Sequence, residues 1–191
     1  CGKLVVAKDA TDLPSLDELL RRGQANGIEL QAITETDAKS IEPRVKTYQR
    51  ALFSPHTSTV SPLQVVNAMQ HDALREGIQI QCGTAYRRRD DTRVHTDRES
   101  IEAGYVVNAA GLYADKIAMD YGFSETYRIL PFKGLYLYSD EPPGSIRTNI
   151  YPVPDLRNPF LGVHFTITAD GKAKIGPTAI PALWRENYDG F

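Results

Sequence analysis

The stretch YVVNAAGLYADKIA at residues 105–118 constrains the fold more than any other segment. An apolar run at 105–108 predicts a strand that enters Ala109, Ala110 and Gly111, and a helical pattern begins at Asp115. The backbone must therefore turn sharply between small side chains. Such a turn lets a ligand lie close against the main chain, with the N-terminus of the following helix turned to a phosphate or a ribose. The same residues also read as a tight strand-to-helix turn with no ligand.

The rest of the chain sorts into two patterns. Residues 3–7 (KLVVA) predict a short strand, and PSLDELLRRGQA predicts a helix with Leu16, Leu19 and Leu20 on one face, ended by Asn26 and Gly27. TETDAKSIEP predicts a second, short helix capped by Thr34 or Thr36 and closed before Pro43. Ser61 caps a longer helix with Pro62 at its first position and Gly77 at its end, and IQIQ at 78–81 predicts a strand after it. Helix, glycine and strand in that order are half of a βαβ crossover, which calls for a parallel strand nearby. RRRDDTRVHTDRES reads as a charged hairpin with a solvated face. From residue 125 onward the pattern changes to extended runs with many turn signals, with residues 169–172 (ADGK) as a hairpin turn between two of them. An α/β portion is thus followed by an antiparallel portion, which predicts two interleaved lobes.

Composition bears on partners. With 191 residues, 41% hydrophobic and 24% charged, the chain has the balance of an ordinary globular protein. A formal net charge of -2 gives no basic field, so nucleic acid is not an expected partner. Cys1 and Cys82 are too few and too far apart for a disulfide framework or a CxxC zinc site, and no metal site is expected. No run approaches the length of a membrane span, so no integral membrane segment is expected. The opening CGKLVVA looks like a strand already in progress, which predicts an internal piece of a longer protein.

VVNAAGLYADKIA at 106–118 resembles the second flavin-contacting strand of the D-amino-acid-oxidase-like FAD oxidoreductase superfamily. Three further stretches resemble its L-2-hydroxyglutarate oxidase or dehydrogenase branch: CGK at 1–3, PFKGLY at 131–136, and YPVPD at 151–155 with PFLGVHFT at 159–166. The resemblance runs along the whole chain in order. Members of this family open with a GxGxxG turn against the FAD pyrophosphate, and these residues contain none. The resemblance therefore implies a central fragment that holds FAD weakly or not at all on its own. The fold it implies is α/β plus α+β: a partial, Rossmann-like FAD-binding lobe of the glutathione-reductase type at 51–123, flanked by pieces of an antiparallel-sheet substrate lobe at 1–50 and 124–191.

The resemblance also implies roles. Ala85, in the CGTAY strand end, resembles the residue nearest the adenine end of FAD, and Ala109, Ala110, Gly111 and Leu112 resemble the lining of its ribose and pyrophosphate. Thr57 and Ser58, in the loop entering the long helix, are placed near the flavin ring. Lys133 is a cation in an apolar strand, suited to stabilising negative charge near N1 of the ring or to pairing with a substrate carboxylate, and equally readable as a sheet-edge lysine. If its strand is regular, Tyr136 faces away from Lys133, so a shared site needs a bulge. His164 in GVHFT is the first choice for the base that takes a hydroxyl proton, since an imidazole titrates near working pH. Tyr136, Tyr151 and Arg157 are candidates for binding substrate, Arg157 by its bidentate fork. Family members often carry an Arg shortly after the HFT motif, where this chain has Ile167 and Thr168.

The implied reaction is oxidation of a small 2-hydroxy acid, L-2-hydroxyglutarate first, to the 2-oxo acid, with oxygen or a quinone as final acceptor. The implied location is the cytoplasm, with or without peripheral contact with the inner membrane. An amine or amino-acid oxidase of the glycine or sarcosine type is the alternative within the superfamily, and a non-catalytic binding module the alternative outside it.

Overall fold

The structure is a computed structural model, and it describes residues 1–155 and 157–189. In chain order the elements are β1 (Lys3–Val6), α1 (Leu13–Ala25), β2 (Gln31–Thr34), α2 (Glu35–Ile41), β3 (Arg50–Ser54), α3 (Pro62–Arg75), β4 (Tyr86–Asp90), β5 (Arg93–Thr96), β6 (Ser100–Glu102), α4 (Ala114–Asp120), β7 (Phe132–Lys133), β8 (Leu137–Tyr138), β9 (Asn149–Pro152), β10 (His164–Ile167), β11 (Ala173–Gly176) and β12 (Ile180–Pro181). The chain divides into two compact units, one of residues 1–67 and 134–180, the other of residues 68–133 and 181 onward.

The first unit is built on a seven-stranded mixed sheet in the order β2-β3-β1-β9-β10-β11-β8. Its registers fix which side chains share a face. Val5 pairs with Leu52 across the antiparallel β1–β3 ladder and with Tyr151 across the parallel β1–β9 ladder. On one face Leu4, Val6 and Ala51 pack with Ala38 of α2 and with Val45, and Ile146, Ile167 and Ala173 extend that core across the sheet. On the opposite face Ala7, Leu52 and Val153 pack against Leu16 of α1, with Leu13, Leu19 and Leu20 at the margin. Burying each large aliphatic side chain of this kind contributes about 1.5–3 kcal/mol.

Local chemistry sets the helix ends as the sequence predicts. Thr34 caps α2 in a reciprocal box: its hydroxyl accepts from the Asp37 backbone N–H at 3.2 Å, and the Asp37 carboxylate accepts from the Thr34 N–H at 3.1 Å. The Gln64 N–H reaches Ser61 Oγ at 3.4 Å at the start of α3. The hairpin turn at 169–172 joins β10 to β11, with the Gly171 N–H donating to the Thr168 carbonyl at 2.9 Å. A buried Asn149 ties three strands together, its amide donating to the Gly2 carbonyl at 2.9 Å while its oxygen accepts from the Ile167 N–H at 2.9 Å.

In the second unit the charged segment forms the expected hairpin, β4-β5, to which β6 adds a third antiparallel strand that the sequence reading did not include, and α4 follows the Ala-Ala-Gly turn. Two strand expectations are corrected. Residues 78–81 and 105–108 are not strands: among the described residues neither pairs with another strand. Both segments lie open to solvent, with Ile78 56% and Tyr105 87% exposed. A strand is defined by its ladder, and the parallel partner that these runs call for is not formed here. The parallel pairing that does form, β1 with β9, joins segments far apart in sequence in the other unit.

Candidate functional site

The first unit carries a polar row across one sheet face. Phe165 pairs with Ile150 in the antiparallel β9–β10 ladder, which sets His164 opposite Tyr151, and His164 pairs with Gly176 of β11. The Tyr151 and His164 rings are stacked, 3.9 Å between centroids and 16° between planes. Directly opposed residues point to the same face. A Cβ at Gly176 would lie 2.7 Å from Tyr136 Cδ1 and 2.6 Å from the Leu135 carbonyl, so the missing side chain makes room for the Tyr136 ring. Gly176 has φ +153°, which also favours glycine. The row therefore reads Tyr151, His164, Gly176 with Tyr136 over it. It continues the face that α1 covers at Val5, Leu52 and Val153.

His164 is 4% exposed, and its Nδ1 lies 2.8 Å from the Gly162 carbonyl oxygen. A carbonyl only accepts, so Nδ1 carries the proton, which leaves Nε2 as the nitrogen that bears the lone pair in a neutral ring. Lys3 Nζ lies 5.4 Å from the Tyr151 ring centroid and Lys174 Nζ 4.4 Å from the Tyr136 centroid. Both lysines share the His164 face: Lys3 is two residues from Val5, and Lys174 two from Gly176.

The other expected substrate residues are not all in this row. The Arg157 fork is engaged by Asp155, at 2.9 Å from Nε to Oδ1 and 2.9 Å from Nη2 to Oδ2, and this guanidinium holds the Asp155 carboxyl down at about 2. The pair lines a separate cleft of about 370 Å³ with Lys8, Asp12 and Ser15 at the start of α1. Lys133 is half-buried in the short strand β7 and belongs to the second unit, whereas Tyr136 belongs to the first. The segment bends between β7 and β8, where a Cβ at Gly134 would meet Pro177 Cβ at 2.7 Å. Thr57 donates its hydroxyl to Ser54 Oγ at 2.9 Å and its carbonyl accepts from the Gly2 N–H at 2.9 Å, while Ser58 Oγ contacts the His56 carbonyl at 3.4 Å.

In the second unit two of the expected cofactor residues share a cleft, while Thr57 and Ser58 lie in the first unit. Ala85 and Ala110 line one cleft of about 1010 Å³, with Arg87, Tyr113, Lys116 and Glu186 around them. The turn itself is narrow. Asn108 holds both ends, its amide donating to the Ala114 carbonyl at 2.8 Å and its oxygen accepting from the Ala110 N–H at 3.2 Å. Gly111 has φ +52°, and a Cβ there would meet nothing within 4 Å. Ala109 and Gly111 are exposed, and no bulky side chain fills the bend. Leu112 turns its carbonyl to the Arg185 guanidinium. Arg185 also grips Asp115 through two bonds of 2.8 and 2.7 Å and keeps that carboxyl at about 2. Tyr86 donates its hydroxyl to Asp120, and burial, reinforced by that carboxylate, pushes the phenol above its usual range.

A small-residue bend that a Cβ would not crowd, beside a cleft of ligand size with Arg87 and Lys116 on its rim, fits a dinucleotide such as FAD. Sequence reasoning missed Asn108, Arg185 and Asp115 as the residues that hold this bend, and Gly176, Lys3 and Lys174 around His164. For Arg185 and Asp115 the missing signal was pairing across 70 residues. For Gly176, Lys3 and Lys174, strand register would have found them.

The first unit carries a mixed sheet and the second a small-residue turn, and solved structures share this fold. L-proline dehydrogenase from P. horikoshii superposes with a TM-score of 0.82 at 20% identity, over 96% of this chain and 50% of that one. Glycine oxidase from Geobacillus kaustophilus superposes with a TM-score of 0.77 at 21% identity, over 94% of this chain and 48% of that one. Residues 1–190 match the FAD dependent oxidoreductase (DAO) family, and the chain belongs to it. Among curated proteins it is 37% identical to the mitochondrial L-2-hydroxyglutarate dehydrogenases of Bos taurus and Homo sapiens, over 100% of this chain and 45% of each relative. L-2-hydroxyglutarate dehydrogenase of Indibacter alkaliphilus is 34% identical over 98% of this chain and 48% of that protein. The chain thus spans about half the length of these relatives. No helix among the described residues is long and apolar enough to cross a membrane.

Proposed function

We propose that this chain is the central part of an FAD-dependent oxidoreductase that converts a small 2-hydroxy acid, L-2-hydroxyglutarate first, into the 2-oxo acid. The observation that carries the reading is His164, its tautomer set by Gly162 and its ring clasped against Tyr151, in a chain 37% identical to L-2-hydroxyglutarate dehydrogenases. FAD, when bound, supplies the hydride acceptor. Ala85, Ala109, Ala110, Gly111 and Leu112 hold its adenosine and pyrophosphate portion, and Thr57 and Ser58 border its ring. His164 Nε2 takes the proton of the substrate hydroxyl. The Tyr151 stack fixes the imidazole plane, so the base needs no reorientation when substrate arrives. Tyr136 and Tyr151 turn hydroxyls to the substrate, and Lys133 offers a positive charge to the cofactor or to a carboxylate. Arg157 joins only when its pair with Asp155 opens. Oxygen or a quinone is the final acceptor, and the cytoplasm, or the membrane surface reached from it, is the proposed location.

The same reading explains the exposed apolar faces. The relatives are about twice as long as this chain, and we assign the missing length the task of pairing with residues 78–81 and 105–108 and covering α3. The 191-residue chain by itself is then expected to purify without flavin colour.

The test uses the full-length protein charged with FAD, mixed anaerobically with L-2-hydroxyglutarate, glycine, sarcosine or D-amino acids. Bleaching of the flavin by the hydroxy acid supports the reading, and bleaching only by an amine overturns it in favour of an amine oxidase. His164→Ala is expected to slow the reductive half-reaction by about 10²–10⁴-fold, the usual contribution of a positioned general base.

A further inference from the structure

We propose that Lys3 and Lys174 form a paired clamp for the two carboxylates of a dicarboxylate substrate, a proposal that rests on the 2-hydroxy-acid reading above. Neither lysine forms an ion pair among the described residues. Each is half-buried and leans over a tyrosine of the His164 row, Lys3 over Tyr151 and Lys174 over Tyr136.

Strand register explains the arrangement. Lys3 pairs with Asn149, and Tyr151 is its diagonal neighbour; Lys174 pairs with Tyr138, and Tyr136 is its diagonal neighbour. Both side chains therefore slant from the outer row toward the row that holds His164, from opposite sides. Adjacent strands lie about 4.8 Å apart, so the β1 and β11 positions are about 14 Å apart at the backbone. With the stems rising from the sheet face, the ammonium groups stay on the order of 10–14 Å apart, a span that a five-carbon diacid with a charge-assisted hydrogen bond at each end bridges.

The chemistry favours an anion of two charges. A half-buried ammonium without a carboxylate partner keeps its charge for a ligand, and a tyrosine face under it limits its motion without neutralising it. A monoacid engages one end of such a clamp, and a diacid engages both. Gly176 belongs to the same design, because its missing side chain lets Tyr136 sit where Lys174 can reach it. Lys174 also supplies positive charge on the His164 face in a chain that has Ile167 and Thr168 directly after the HFT motif.

The experiment measures competitive inhibition by glutarate and by pentanoate, five-carbon acids with two carboxylates and one, on the full-length protein holding FAD. Lys3→Met and Lys174→Met keep the stem and remove the charge. Each is expected to raise the glutarate inhibition constant about tenfold or more, and only one of them to weaken pentanoate. The double variant is expected to lose the preference for glutarate over pentanoate, whereas Lys174→Arg retains it. FAD content and unfolding midpoint report folding, and Lys3→Gln and Lys174→Gln repeat the comparison should a Met variant fold poorly. Unchanged glutarate binding in both neutral variants, with the wild type still bleached by L-2-hydroxyglutarate, overturns the clamp and leaves the functional reading intact. A wild type bleached by amines alone removes the functional reading, and the clamp with it.

Discussion

The two units solve the problem of burial differently. In the first, every apolar side chain of the core, from Leu4 and Leu16 to Ile167 and Ala173, finds its partner within the chain. In the second, no apolar side chain among the described residues is buried, and its buried groups are the polar Asp115 and Asn187. The first unit is therefore held by the hydrophobic effect and the second by hydrogen bonds and ion pairs, which contribute less per contact. A candidate catalytic histidine placed in the first unit inherits a rigid setting. The candidate cofactor turn in the second has no such buried apolar setting around it among the described residues.

Truncating the core breaks this comparison most directly. Leu16→Ala removes the α1 side chain that fills the face shared by Ala7, Leu52 and Val153, and is expected to destabilise the first unit by about 2–5 kcal/mol. Urea unfolding followed by circular dichroism reads this as a lower midpoint. A midpoint within error of the wild type would show that α1 is not what holds the sheet, and that the two units are alike.

What the sequence made legible is what neighbours in sequence decide. The Leu16, Leu19 and Leu20 spacing, the Thr34 box with Asp37, the Ser61–Pro62 start and the turn at 169–172 all depend on contacts within a few residues. The runs at 78–81 and 105–108 carry the composition of strands, but a strand also needs a ladder partner, and composition does not say whether one is present. His164, Tyr151 and Tyr136 were each visible as unusual residues in apolar runs. Their assembly into a row was not, because it depends on β9 running parallel to β1 and antiparallel to β10. Arg185 and Asp115 escaped notice for the same reason: neither is odd locally, and only the fold brings them together.

Within the first unit a smaller change tests how tightly the row is packed. Gly176→Ala places a Cβ 2.6 Å from the Leu135 carbonyl and 2.7 Å from Tyr136, at a φ that L side chains rarely adopt. Overpacking of this kind costs about 1–3 kcal/mol. The expected result is a lower unfolding midpoint together with a raised KM for the acid substrate in the full-length protein, as Tyr136 is pushed from Lys174. A midpoint loss without a KM change would separate the packing of Gly176 from the site.

The second unit is expected to respond to pH. Arg185 lowers the Asp115 carboxyl to about 2, against about 3.9 in an unfolded chain. A depressed folded value means that the pair contributes its full stability above about pH 4 and loses it as pH falls toward 2, since Arg185 keeps its charge throughout. Asp115→Asn is therefore expected to be less stable than the wild type at pH 7, with the difference shrinking as pH falls from about 4 to 2. Denaturant midpoints at pH 7, 4 and 2.5 check this. A difference that stays constant across that range would show that the pair acts through shape and not charge.

The smallest expected effect is on α3, whose Leu63, Val66 and Met69 are 69%, 60% and 65% exposed. A 14-residue helix with no covered face gains little from tertiary packing and is marginal by itself. Met69→Ser in the 191-residue chain removes a side chain that touches little, and is expected to shift stability by no more than about 0.5 kcal/mol. In the full-length protein, where this face is proposed to be covered, the same change is expected to lower the midpoint and the FAD content. The pair of measurements separates a helix that is exposed by nature from one that waits for the rest of its lobe. A large loss already in the short chain would mean that α3 has its partner within these residues.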